Sequence, residues 1–411
     1  MVCRLRFGIL ADDLTGALDT GVQFRQKGFA TFVPLKFSHS FQHAPVLVLN
    51  SDSRNLSGEM AYERVRRICK WLRGRVLYKK VDSTLRGNVG WEIQATLDGL
   101  GYRKAMLVPS YPAQGRTVEK GILRVNGIPL HRTSLIKEFK NPVTSSSIPD
   151  LLKKEIGKDI STINRKELGQ GSTSLARRIL QAEERIVLID AKTSNDLRCI
   201  VRAWILLKDE VLACGSAGLA KEVPVRSFPF TKRRLKFKNV AEPFLIVSGS
   251  RNQRTWDQLN RVMNRFRFPL VEPDLIRFTH AKQSHQEIHR LSYRLFQLLE
   301  QYPGAILSTS FQKLLPNQRD SVSINLGKVV AKVLSRQSLS GLILTGGDVA
   351  LKACHLLKSS AMRIEGEILP GIPLSSLADG PFKGLRIVTK SGGFGDQETL
   401  IKLARYLGRE K

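Results

Sequence analysis

The sequence predicts two α/β domains, each a mainly parallel sheet flanked by helices. Apolar runs of strand length alternate with amphipathic stretches of helix length along the whole chain, the signature of βαβ units. At 411 residues the chain is too long for one ordinary core and suits two domains. A basic, Pro-containing tract near residues 223–242 divides the alternation into two blocks, giving domains over 1–225 and 243–411 with a basic linker over 226–242.

In the first block the strand candidates are Leu5–Leu10, Thr31–Leu35, Val46–Asn50, Arg75–Lys79, Ala105–Pro109 and Ile186–Asp190, with helical patterns over Leu14–Lys27, Gly58–Leu72 and Val89–Leu100 between them. The second block repeats the rhythm with Phe244–Ser248, Pro269–Glu272, Ala305–Thr309, Gly341–Thr345 and Leu385–Lys390. Its helical stretches include Gln253–Arg265, Gln286–Gln301 and Lys328–Ser335. In open α/β sheets ligands bind beyond the carboxyl ends of strands, and the Gly-, Asp- and Ser-rich segments cluster at those junctions.

Composition narrows the class. Hydrophobic residues make up 42% and charged residues 25%, an ordinary globular balance. Five widely spaced cysteines, Cys3, Cys69, Cys199, Cys214 and Cys354, form no C-x-x-C pair, which argues for free thiols in a reducing compartment. The N-terminal MVCRLRFGILADD runs straight into a strand pattern without a leader-like apolar region, and no apolar run is long enough to cross a bilayer. A cytoplasmic location is expected. The formal charge of +30 raises nucleic acid as a partner. Its densest run, Arg226 to Lys238, falls in the linker, and no zinc finger, RNP-type segment or aromatic-interleaved basic stripe accompanies it. The excess also suits gathering anionic substrates.

The first strand ends in ILADDLTGALDTG. Asp12 and Asp13 stand between strand and helix; adjacent side chains diverge, so one can act on a substrate hydroxyl while the other caps the helix. A dehalogenase-type phosphatase needs Asp-x-Asp there, and the third position is Leu14. After the third strand, NSDSR supplies Ser51, Asp52, Ser53 and Arg54. VLYKKVDSTLRGN follows with Lys79, Lys80, Asp82, Ser83, Thr84, Arg86 and Gly87. Arg86 can grip a carboxylate bidentately, Ser83 and Thr84 can bind hydroxyls, and Gly87 lets backbone approach a ligand. Arg116, in PAQGRTVEKG, suits a further anionic group. These are the parts an anionic polyol demands.

Three glycine-rich strand–helix turns mark the second block: Ser248, Gly249 and Ser250 in VSGSRNQ; Gly346, Gly347, Asp348 and Val349 in LTGGDVA; and Gly392, Gly393 and Gly395 in KSGGFG. Backbone N–H groups at helix N-termini bind phosphate. Any one turn could be simple punctuation, but three in one domain point to a phosphate cradle. Neither a Walker A loop nor a G-x-G-x-x-G fingerprint occurs. His280, His285 and His289 lack acidic partners at ligand spacing and read as a solvated helix face.

Together ADDLTGALDTG, the SR of NSDSR, KKVDSTLRGN, PAQGRTVEKG, CGSAGLA, VSGS, LTGGDVA, EGEILPGIPL and KSGGFG resemble the four-carbon acid sugar kinases. The motifs stand in that family's order from residue 11 to 395. The resemblance implies an N-terminal domain binding a sugar acid, a C-terminal domain binding ATP with Mg2+, and an active site in the interdomain cleft that closes to exclude water. It places Asp12, Asp13, Arg54, Lys80, Asp82, Ser83, Arg86 and Arg116 around the substrate, with Asp12 or Asp13 as the base. Ser248, Ser250, Gly346, Gly347, Asp348, Val349, Pro370, Gly371, Gly392 and Gly393 would surround the nucleotide. Family members phosphorylate the terminal hydroxyl of threonate, erythronate or 3-oxo-tetronate.

Two segments depart from the family pattern. NPVTSSSIPD carries Asn141 and serines where the family shows Asp-Pro followed by a second Pro, and Ser110-Tyr111-Pro112 replaces Ala-Phe-Pro. The particular acid stays open. Two other readings are a catalytically silent sugar-acid-binding regulator, which would predict damaged glycine turns or a lost Asp pair, and a basic nucleic-acid-binding protein. The glycine turns and the Asp pair are intact. The expected partners are a small sugar acid and ATP, with neither membrane nor nucleic acid, and a homodimer is compatible with the sequence.

Overall fold

Apolar runs followed by polar turns become parallel strands in both halves of the chain. The computed structural model describes residues 6–37, 39–133, 135–136, 145–224, 242–312, 315 and 318–408, which form two compact units. The linker over 226–242 (save Glu242), Asn141 and its neighbours, and Cys3 lie outside the described residues.

The first unit contains β1 (Phe7–Ala11), β2 (Thr31–Pro34), β3 (Val46–Asn50), β4 (Val76–Lys80), β5 (Lys104–Val108), β6 (Arg116–Glu119), β7 (Ile122–Val125), β8 (Ile128–Pro129), β9 (Ser161–Ile163), β10 (Ile186–Ile189) and β11 (Val211–Gly215). Its main sheet runs β2-β3-β1-β4-β11-β5-β10-β9, with parallel pairing throughout. Helices include α1 (Leu14–Gln26), α2 (Gly58–Cys69), α3 (Val89–Leu100), α4 (Ile148–Ile156), α5 (Arg165–Leu168), α6 (Ser172–Gln181), α7 (Ser194–Leu207) and α8 (Ala217–Glu222). Every residue of β1, β5, β10 and β11 is buried, as expected where helices cover both faces of a parallel sheet. Strands β6 to β8 form a separate antiparallel sheet.

The second unit contains β12 (Phe244–Ser248), β13 (Leu270–Val271), β14 (Gly304–Ser308), β15 (Gly341–Thr345), β16 (Ala361–Leu369), β17 (Ile372–Leu377) and β18 (Arg386–Lys390). Its strand order is β13-β14-β12-β15-β18-β17-β16. Pairing is parallel from β13 to β18, whereas β16, β17 and β18 pair antiparallel. The helices are α9 (Gln253–Phe266), α10 (Leu275–Thr279), α11 (Ser284–Gln301), α12 (Arg319–Leu334), α13 (Gly347–Leu356) and α14 (Thr399–Gly408). Phe244, Ile246, Ile343 and Val388 pack with Leu259, Leu400 and Leu403 in its core.

Most expected strands are present with ends moved by one or two residues. β11 sits between β4 and β5, yet its Ala-Cys-Gly end has little strand propensity. The EGEILPGIPL segment is an antiparallel hairpin, β16–β17, and α12 begins at Arg319, well before the expected Lys328. His280, His285 and His289 are exposed, as expected of a solvated face. No described helix is long and apolar enough to cross a membrane.

The place of β11 gives a stability test. Leu212 in β11 is fully buried, whereas Leu206 at the end of α7 is 60% exposed. Leu212→Ala should cost about 2–5 kcal/mol in urea unfolding, and Leu206→Ala should change stability by less than about 0.5 kcal/mol. Equal effects would contradict the placement of β11 within the sheet.

Candidate active site

Strands β3, β1 and β4 are neighbours, and their carboxyl ends carry the polar motifs of the first unit. Asp13 is the N-cap of α1; its Oδ1 accepts from the Gly16 N–H at 2.7 Å and its Oδ2 from the Thr15 hydroxyl at 2.6 Å. Arg54, in the turn after β3, reaches across to both aspartates. Its Nε donates to Asp12 Oδ2 at 2.6 Å, Nη2 to Asp12 Oδ1 at 2.9 Å, and Nη1 to Asp13 Oδ2 at 2.5 Å. The two carboxylates therefore converge on one guanidinium instead of diverging. Arg54 also lies 3.7 Å from Asp82 Oδ1.

Beyond β4, Asp82 and Arg86 form a second bidentate pair, Nε to Oδ2 at 2.9 Å and Nη2 to Oδ1 at 2.7 Å. Asp82 Oδ2 also accepts from the Thr84 hydroxyl and the Thr84 N–H. Gly87 has φ +97°, and a Cβ there would stand 3.0 Å from Asp12 Oδ2, so a side chain would be both strained and crowded. The result is a single network, Asp13–Arg54–Asp12 and Arg54–Asp82–Arg86. Burial alone would raise the pKa values of Asp12 and Asp82. For Asp12 the charge of Arg54 outweighs it, and for Asp82 the charges of Arg86 and Arg54 do so strongly, so both stay ionised. Both folded-state values lie below the unfolded one. The stability they contribute is complete above about pH 4 and is lost as pH falls through the lowered values.

Lys80 is buried at the end of β4, and among the described residues its ammonium has no hydrogen-bond or ion-pair partner. Ser83 is half-buried, with no partner for its hydroxyl among the described residues. Arg116 begins β6, where its backbone pairs with Tyr111 and its guanidinium donates to the Gln114 carbonyl.

Sequence reasoning missed the layer beneath. Lys79, 1% exposed, pairs with Glu92 of α3 at 2.7 Å. Burial works against its charge, but Glu92 holds its pKa above the usual lysine value. Glu92 Oε1 also accepts from Ser53 Oγ at 2.6 Å, and Ser53 contacts Ser51 at 2.7 Å. The Ser53 and Arg54 N–H groups both donate to the Asp12 carbonyl. The buried pair thus fixes the turn that carries Arg54. A lysine at a strand end and a glutamate in the first turn of a helix each look solvated in sequence. Only the alternation of Lys79 and Lys80 across the pleat hints that one of them points inward.

In the second unit β12, β15 and β18 are likewise neighbours, and each ends in a glycine-rich turn. Ser248 is fully buried, its hydroxyl bonded to Thr345 at 2.5 Å and Ser310 at 2.7 Å. Ser250 is 8% exposed, and its hydroxyl accepts from the Asn252 N–H. Gly346 caps α13, whose first turn carries Gly347, exposed Asp348 and buried Val349. A Cβ on Gly392 would meet Ser250 Oγ at 2.3 Å, so the first and third turns touch. Pro370 and Gly371 form the β16–β17 turn. The antiparallel register, Leu374 opposite Val388, brings that turn to the same sheet edge as the end of β18.

The chain matches the family model of a sugar-binding N-terminal domain over residues 7–223 and that of a nucleotide-binding C-terminal domain over 245–400. This makes it a two-domain protein of the sugar-and-nucleotide-binding class. It is 31% identical to a D-threonate kinase of Salmonella typhimurium over 97% of each chain. It is 29% identical to a D-erythronate kinase of Heliobacterium modesticaldum, covering 97% of this chain and 96% of the relative. A solved structure from Salmonella typhimurium superposes with a TM-score of 0.80 at 20% identity, covering 98% of this chain and 99% of the other. The chain belongs to the four-carbon acid sugar kinase family.

The Lys79–Glu92 pair can be tested directly. Glu92→Leu strands a buried ammonium and should cost about 3–5 kcal/mol in urea unfolding, whereas Lys79→Met with Glu92→Leu should recover most of that loss. A double variant no better than the single one would contradict the pairing.

Proposed function

We propose that the chain is an ATP-dependent kinase that phosphorylates the terminal hydroxyl of a four-carbon sugar acid. The observation that carries this reading is the division of labour within one chain. A carboxylate–guanidinium cluster ends β1, β3 and β4 of the domain matched as sugar-binding. Glycine-rich turns end β12, β15 and β18 of the domain matched as nucleotide-binding.

Each side chain takes a role from its chemistry. Lys80, Arg86 and Arg116 are the cations for the substrate carboxylate, and Ser83 offers its hydroxyl to the polyol. Asp12 has both oxygens taken by Arg54, so it positions. Both oxygens of Asp13 are also engaged, by Gly16, Thr15 and Arg54, but its side chain is the more open, 17% exposed against 4%, which makes it the better base for the attacking hydroxyl. Phosphoryl transfer passes through a loose transition state and asks mainly for positioning and charge stabilisation. The turns of Ser250, Gly346, Gly347, Gly392 and Gly393 suit the ATP phosphates as backbone donors, with Pro370 and Gly371 at the same sheet edge.

No three His, Cys, Asp or Glu among the described residues converge as a metal cage. Magnesium keeps its waters and phosphate oxygens and needs only one or two carboxylates; Asp348, beside the second glycine turn, fits that need. Bound there, magnesium would neutralise phosphate charge. Cys69, Cys199, Cys214 and Cys354 are unpaired thiols, which suits a cytoplasmic enzyme.

The test is ADP release from Mg-ATP across C4 sugar acids. D-Threonate, D-erythronate or a 3-oxo-tetronate should raise it well above background; silence with every acid would overturn the proposal. Asp13→Asn should lower kcat by about 10²–10⁴-fold with the folded state intact. Arg86→Lys, which loses the fork geometry, should raise KM for the acid while leaving KM for ATP alone. Wild-type kinetics in both variants would contradict the assigned site.

A further inference from the structure

Six consecutive carbonyls, from Ser391 to Asp396, are held by side-chain donors from β18 and α9. Lys390 Nζ donates to the carbonyls of Ser391 at 3.0 Å, Gly392 at 3.1 Å and Phe394 at 3.2 Å, and to Thr255 Oγ1 at 3.3 Å. Thr255 Oγ1 donates to the Gly392 carbonyl at 2.8 Å. Gln258 Nε2 donates to the carbonyls of Phe394 at 3.2 Å and Asp396 at 2.6 Å. Arg254 Nη1 reaches the carbonyls of Gly393 at 3.0 Å and Gly395 at 3.4 Å. Lys390 itself is fully buried, and no carboxylate pairs with it among the described residues.

The choice of carbonyls matters. Across a trans peptide, the C=O of one residue and the N–H of the next point in opposite directions. The peptides whose carbonyls Lys390 holds are those whose N–H groups belong to Gly392, Gly393 and Gly395. Among the described residues, these three N–H groups have no acceptor, whereas the intervening Phe394 N–H is bonded to the Ser391 carbonyl at 3.1 Å. Successive backbone N–H groups left free in a glycine turn are a ready anion site.

We infer that Lys390 is a positioning residue of the nucleotide site, holding three carbonyls back so that the Gly392, Gly393 and Gly395 amides are presented to phosphate. This rests on the proposed reading of that turn as part of the ATP site. It also makes the site sensitive to pH. Burial, with the nearby charge of Arg254, pushes the Lys390 pKa down to about 7. The ammonium has three N–H bonds for its four acceptors and the neutral amine only two. The charged groups on neighbouring segments are Arg254 of α9; Asp396 of the turn, paired with Lys402 of α14 at 2.7 Å; and Glu398, paired with Arg261 at 2.8 Å. Losing its proton as pH rises, Lys390 loosens the turn, and nucleotide affinity falls.

Calorimetry of Mg-ADP binding to the full chain, together with steady-state kinetics, tests this. Lys390→Met should weaken Mg-ADP and raise KM for ATP by about tenfold or more, while KM for the sugar acid holds. Wild-type affinity should fall as pH rises through about 7, and the slope should vanish in the variant. If Lys390→Met does not fold, the wild-type pH profile and Thr255→Val, which should weaken Mg-ADP by a smaller factor, decide the matter. Unchanged Mg-ADP affinity in whichever variants fold, or a pH-independent wild type, overturns the role of Lys390. A wild type that binds no nucleotide at all overturns the nucleotide reading itself.

Discussion

The guanidinium of Arg54 gathers three carboxylates at the ends of adjacent parallel strands. Two of them, Asp12 and Asp82, are buried, where an unpaired carboxylate would be costly. Arg54 takes Asp12 with both nitrogens of its fork, holds Asp13 with the third, and leaves Asp82 to be completed by Arg86. Lysine, a point charge, could not satisfy that geometry. Removing Arg54 would crowd three negative charges into one strand-end cluster, so the polar face of the first unit depends on this one side chain.

Arg54 is in turn held from below. Glu92 fixes Ser53, Ser53 precedes Arg54, and both backbone N–H groups rest on the Asp12 carbonyl. The second unit is built in a similar way, with a buried cation behind a glycine-rich turn. There Lys390 holds neutral carbonyls instead of carboxylates, which fits the proposed presentation of N–H groups to phosphate. In each unit three adjacent parallel strands contribute, β3-β1-β4 and β12-β15-β18, as expected of α/β sheets that bind ligands beyond their carboxyl ends.

Much of this was legible in the sequence because the signals are local. GILADDLTGALDTG reads as strand, capped turn and helix from apolar run, Asp and period alone, and the same holds for LILTGGDVALKA. The order of these motifs also pointed to the family. What escaped depends on contacts between distant segments. β11 ends in residues of low strand propensity and owes its place to pairing with β4 and β5. The strands on either side of Pro370 and Gly371 were not expected from the sequence, and pairing shows them as the hairpin β16–β17. Lys79, Glu92 and Lys390 resemble solvated charges, since nothing beside them in sequence reveals the partners that hold them inside.

Transfer of phosphate from ATP to a sugar acid leaves its mark on the product, whose identity can be read atom by atom. Incubation of the full chain with Mg-ATP and the accepted C4 acid, followed by phosphorus and carbon NMR, should yield one phosphate monoester on the terminal hydroxyl. Release of free phosphate without an ester, or an ester on another oxygen, would rule out kinase action at the terminal hydroxyl.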